Sequence, residues 1–146
     1  MATIPTSYRN ASSFGTPAFE VLDTYTQQNL IAGVEPGRQQ PVRILLASST
    51  NLAKFSVVGL NASNQLVLAT YNADPEVAIK PIGVLEHAAT SGASNTTIFG
   101  EVVLTGCYNT DADSPLVWDA SFDTQAKKNG SVVGDPNLIF RSRNVA

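Results

Sequence analysis

The segment Lys80 to Ala89, KPIGVLEHAA, carries the chain's single histidine, His87, directly beside Glu86. A carboxylate next to an imidazole has the chemistry of a general base with its orienting group, or of two ligands to a metal ion. Along an extended strand, however, successive side chains point to opposite faces. If Leu85 to Ala88 is strand, Glu86 can neither orient nor deprotonate His87 within this segment. A single histidine also falls short of the clusters that common metal sites use. Serines are numerous, yet no Gly-x-Ser-x-Gly elbow is present to support a Ser-His-Asp arrangement.

Four other stretches hold residue types that could do chemistry. Cys107 stands alone, which excludes an internal disulfide and a cysteine metal cage, and its place in VVLTGCY reads as a small buried hydrophobe rather than a nucleophile. Asn109-Thr110-Asp111-Ala112-Asp113 alternates oxygen ligands as a calcium loop does. The sixth position is Ser114 instead of glycine, Pro115 follows, and the twelfth is Ala120 instead of glutamate, so the segment reads as a polar turn. GVEPGRQQ lacks the Lys-Ser/Thr of a phosphate-cradling loop, and GLNASN has no helix behind it. The expectation is therefore no catalytic residue, no metal and no cofactor.

The elements that carry these residues follow from composition. Of 146 residues, 43% are hydrophobic and only 14% charged, and Ser, Thr, Asn, Gly and Pro fill the gaps between apolar runs, a texture of turn-rich β proteins. The net charge of −3 and the scattered basic residues argue against a nucleic-acid partner, which needs clustered Lys and Arg facing phosphates. No basic start followed by an apolar core marks a secretory signal, and no apolar run is long enough to span a bilayer, so neither export by that route nor a membrane partner is expected.

From Met1 to about Pro17 the chain has Pro, Gly, Ser and Asn with isolated aromatics and no sustained period, and too little apolar area to build a core of its own. Residues 1–33 are read as an extended N-terminal arm and residues 34–146 as a β-rich body. In the body, VRILLA, KFSVVGL and QLVLATY read as strands, the last two joined into a hairpin by Asn61 to Asn64. Pro81 marks an edge or a bend before IGVLEHAA, TTIFGEVVLTGCYN is the longest strand pattern, and Leu138 to Phe140 closes the chain. One short helix is expected in SFDTQAKKNG, capped by Ser121 or Asp123, with Lys127 and Lys128 near its C-terminal end and Gly130 as a left-handed stop. The fold class is mainly β, one domain with one short helix.

The order TYTQQNLIAG, LAKFSVVGLNASNQLVLA, KPIGVLEHAA, GEVVLTGCYNTDADSPLVW and a final NLIF resembles the lambda-type head decoration proteins of tailed bacteriophages, over nearly all of Tyr25 to Phe140. Asn29-Leu30-Ile31-Ala32-Gly33 matches the segment joining arm to body. Leu66-Val67, Ile82-Gly83-Val84-Leu85, Gly106-x-Tyr108-Asn109 and Leu116-x-Trp118 match further elements in order and spacing. Phe55 departs from the pattern, since the family often has glycine after the corresponding basic residue, and Arg141 to Ala146 runs past the usual ending.

The resemblance implies a β-clip fold and a homotrimer on the outer surface of the expanded head, bound to the major capsid protein, made in the host cytoplasm and without catalysis. An arm that adds a strand to a capsid subunit's edge would satisfy its backbone there and bury Tyr8, Phe14, Phe19 and Val21. Trp118, the single tryptophan, either anchors the trimer contact or fills the domain's own core. A carbohydrate- or receptor-binding β module of a tail or fibre is the alternative.

Overall fold

The computed structural model describes residues 28–143. The described chain is mainly β with one short helix, in the order β1 (Ile31–Gly33), β2 (Val42–Leu45), β3 (Asn51–Leu52), β4 (Val57–Leu60), β5 (Leu66–Leu68), β6 (Gly83–Leu85), β7 (Ala89–Thr90), β8 (Phe99–Val103), β9 (Gly106–Asn109), α1 (Gln125–Asn129) and β10 (Leu138–Arg141). The expected arm of residues 1–33 thus ends in a strand of the body, β1, which pairs antiparallel with β9.

Five strands form an antiparallel sheet in the order β2-β8-β6-β4-β5. With five alternating strands the first and last run in the same direction, so any closure between them has to be parallel. A parallel bridge between Leu46 and Leu66, with the Ala47 N–H donating to the Leu66 carbonyl at 3.0 Å, joins the two ends at one corner into a small barrel. Its interior is aliphatic: Leu46, Leu52, Val58, Leu66, Leu85 and Val102. A five-stranded ring leaves little room inside. Position 100 on β8 is glycine because a Cβ there would lie 2.5 Å from Leu66 Cδ2 and 3.0 Å from Leu85 Cδ1.

Strand alternation sends the neighbouring residues the other way. Val57, Ala69 and Val84 leave the barrel interior and meet Tyr108, Leu116, Phe122, Leu138 and Phe140 in a second core. That core lies under a three-stranded sheet, β1-β9-β10, in which β10 runs parallel to β9. The hairpin expected at Asn61 to Asn64 is formed: β4 and β5 pair from Leu60–Leu66 to Val58–Leu68, and the Asn61 side chain accepts the N–H groups of Ser63 (2.9 Å) and Gln65 (3.0 Å). Phe55 has φ 63°, the left-handed conformation that glycine adopts without strain. It is held there by its N–H to the Leu85 carbonyl (2.9 Å), by its carbonyl accepting from Val117 N–H (3.0 Å), and by its ring against the second core.

Three expectations are corrected. The run Thr96 to Asn109 is not one strand: it breaks at Leu104-Thr105, and Gly106, with φ 138°, redirects the chain so that β8 serves the barrel and β9 the other sheet. The helix cap is Thr124, whose side chain accepts the Lys127 N–H at 3.3 Å. Ser121 is engaged elsewhere, accepting the Tyr71 N–H and donating to Asp119, while Asp123 pairs with Lys127 at 2.7 Å. Gly130 is right-handed (φ −82°), since the chain turns on through the next residues and reaches positive φ only at Gly134.

Candidate functional site

Glu86 and His87 lie in a bend after β6, not in a strand, and they are held apart by different partners. Glu86 pairs with the Arg38 guanidinium, whose Nε donates to the Tyr108 hydroxyl at 3.3 Å; that hydroxyl donates in turn to the Thr105 carbonyl at 3.0 Å. Burial raises the Tyr108 phenol above its ordinary range, against the opposing pull of Arg38. His87 reaches across to Glu101 with Nε2 at 3.6 Å from Oε2, and its side chain is 68% exposed. Strand alternation, expected to separate the pair if Leu85 to Ala88 were strand, does not apply here, because β6 ends at Leu85; the two side chains are separated by this division of partners. Cys107 is buried in β9, as its sequence context implied.

The polar turn Asn109 to Asp113 is a clasp that gathers both ends of the described chain. Asn109 is fully buried, and its amide donates to the Asn29 carbonyl and to Asp113 Oδ1, each at 2.8 Å. Its own carbonyl oxygen accepts the Asp111 N–H at 3.0 Å. Asn29 Nδ2 donates to Asp113 Oδ2 at 2.6 Å, and the Asn29 N–H to the Asp113 carbonyl at 3.0 Å. From the other end, Ser142 Oγ and the Arg143 N–H (2.9 Å) donate to Asp111, and the Arg143 guanidinium stands 3.7 Å from Asp113. The hydrogen bonds from Asn109 and Asn29, with Arg143 beside them, hold the Asp113 carboxyl below its usual range. These oxygens are turned to backbone and amide donors, and among the described residues no group of three or more His, Cys, Asp or Glu is arranged to hold a metal ion.

Sequence reasoning singled out the turn, and Asn29 only as part of the segment joining arm to body; it missed Ser142 and Arg143. Arg141 and Arg143, in the tail that had no assigned role, tie the chain end to the body: the Arg141 guanidinium donates to the Ala32 carbonyl at 3.2 Å. Trp118 is half-buried between Phe122 and Phe140, with ring centroids 4.9 Å from each, and Lys128 Nζ lies 6.0 Å from its ring centre. It packs in its own domain's second core and keeps part of its surface open. Tyr8, Phe14, Phe19 and Val21 lie outside the described residues.

One open groove adjoins the helix, about 390 Å³, with Tyr71, Pro75, Ala78 and Phe122 as its apolar wall and Lys80 and Lys127 at its rim. Lys127 Nζ sits 4.6 Å from the Tyr71 ring centre, so that face of the ring is already covered by a cation. No helix among the described residues is long and apolar enough to cross a membrane. Set against family models and against curated proteins, the chain finds no match in either.

Proposed function

We propose that this chain is a structural virion protein that decorates the outer surface of an expanded phage head, binding the capsid protein as a trimer and stabilising the shell against the pressure of packaged DNA. The observation that carries the reading is the clasp at Asn29. A docking arm transmits load only if its root cannot peel from the body. Here the root is fixed by β1 pairing with β9, by both Asn29 bonds to Asp113, and by the Asn109 amide on the Asn29 carbonyl.

The sequence resemblance supplies the partner, and the residues that looked chemical are occupied in holding the fold: Glu86 with Arg38, Asn109 with Asn29, Asp111 with Ser142 and Arg143. A protein that binds only the assembled lattice stabilises it by mass action, and three arms on one trimer multiply weak contacts through effective concentration. The β-clip description belongs to this proposal.

The groove beside Tyr71 supports the second reading, a carbohydrate- or receptor-binding module of a tail or fibre, because it offers a ligand an apolar wall with polar rims. Co-sedimentation of the full chain with expanded, undecorated heads, with unexpanded heads as control, separates the two. Saturable binding to expanded heads alone is expected, and deletion of residues 1–17 should leave a folded body that no longer binds. Binding to neither form of head overturns the decoration reading.

A further inference from the structure

Of the asparagines in this chain only Asn129 is followed by glycine. Such a pair is chemically reactive towards itself, because the glycine nitrogen has no flanking side chain to hinder its approach. The Gly130 amide nitrogen gives up its proton to solvent and bonds to Asn129 Cγ. The Cγ–N bond of the side-chain amide breaks, ammonia leaves, and a cyclic imide forms. Water then opens the imide at either carbonyl to give aspartate or isoaspartate.

The fold engages both reacting groups. The nucleophile, the Gly130 N–H, donates to the Ala126 carbonyl at 2.9 Å and closes the last turn of α1. The electrophile is held from the other side: Asn129 Oδ1 accepts the Thr110 hydroxyl at 2.5 Å, and that hydroxyl accepts from Gln125 Nε2 at 2.6 Å. Thr110 is buried, and its N–H is fixed to the Arg141 carbonyl at 3.0 Å, so its hydroxyl is a rigid anchor. Reaction therefore needs Gly130 to release Ala126 and Asn129 to release Thr110, which unwinds the end of α1.

We propose that Asn129–Gly130 is a deamidation site gated by the fold: the amide persists while α1 is docked on Thr110 and is lost when α1 undocks. The helix has five residues and none of them is buried, so its opening is a local event well short of global unfolding. The product does not return to the docked state on equal terms. Aspartate adds a negative charge at the C-terminal end of a helix, in the hydrogen-bond network that reaches Asp111 through Gln125, and isoaspartate lengthens the backbone. Deamidated protein would thus be a permanent record of opening at α1.

The test incubates the full chain at mildly alkaline pH with and without urea, then follows each asparagine by peptide mass spectrometry. In urea, Asn129 is expected to convert ahead of every other asparagine, and in buffer at least about tenfold more slowly than in urea. Thr110→Val, confirmed folded by circular dichroism, should raise the rate in buffer several-fold and leave the rate in urea unchanged. Thr124→Ala, which loosens the helix at its exposed cap, should act in the same direction and decides the matter if Thr110→Val does not fold. Equal rates for the parent protein in buffer and urea overturn the proposal, as does a folded Thr110→Val or Thr124→Ala that deamidates no faster than the parent.

Discussion

Two regions of the body, the barrel interior and the clasp at one end of the three-stranded sheet, are held by different forces. The barrel interior is aliphatic, Leu46, Leu52, Val58, Leu66, Leu85 and Val102, and contributes through area removed from water and tight contact. One end of the three-stranded sheet is held by directed bonds among Asn29, Asn109, Asp111, Asp113, Ser142 and Arg143. Packing is indifferent to pH and tolerant of direction but not of lost volume. A clasp of amides and carboxylates has the opposite sensitivities, since its bonds depend on geometry and on which groups are protonated.

The comparison is broken most forcefully in the barrel. Leu66→Ala removes a fully buried side chain at the closing corner and should cost about 2–5 kcal/mol in urea unfolding, with the loss nearly constant across pH. If the loss were below about 1 kcal/mol, the barrel would not be closed there.

Asn109→Ala should cost about 1–3 kcal/mol, because it strands the Asn29 carbonyl, the Asp111 N–H and one Asp113 oxygen together. Unlike the barrel variant, it should also weaken the joint to residues before Asn29, seen as faster hydrogen exchange in β1 than in β4.

The clasp side also predicts the acid response. Hydrogen bonds hold the carboxyls of Asp113 and Asp119 below their usual value of 3.8 in the folded chain. Their stabilisation is then fully present above that unfolded value and is lost as pH falls through the lower folded one. Unfolding followed from neutral pH downward should show Asp113→Asn with a shallower acid slope than the parent, and Leu66→Ala with the parent's slope. The smallest effect is expected at His87→Gln. His87 and Glu101 are exposed, so stability at neutral pH, measured by urea unfolding, should change by less than about 0.5 kcal/mol.

Phe55 shows a backbone conformation that its residue type does not announce. Its φ lies in the left-handed region that glycine adopts without strain, and its ring packs on the second core. The break at Leu104-Thr105 was hidden for a related reason. Val102, Val103 and Leu104 lead into it and Cys107 and Tyr108 follow, with no proline near it, and Gly106 was its local signal.

What the sequence by itself determined was local. Alternation and turn residues defined the β class, the β4–β5 hairpin, the buried Cys107 and the place of α1, because each depends on neighbours within a few residues. The tertiary structure alone decided which strand joins which sheet, that Leu46 meets Leu66, that Glu86 takes Arg38 and not His87, and that Asn29 and Arg143 meet on Asp113. Those contacts join segments far apart in the chain, and linear spacing carries no information about which distant polar groups will be left to satisfy one another when two apolar faces close.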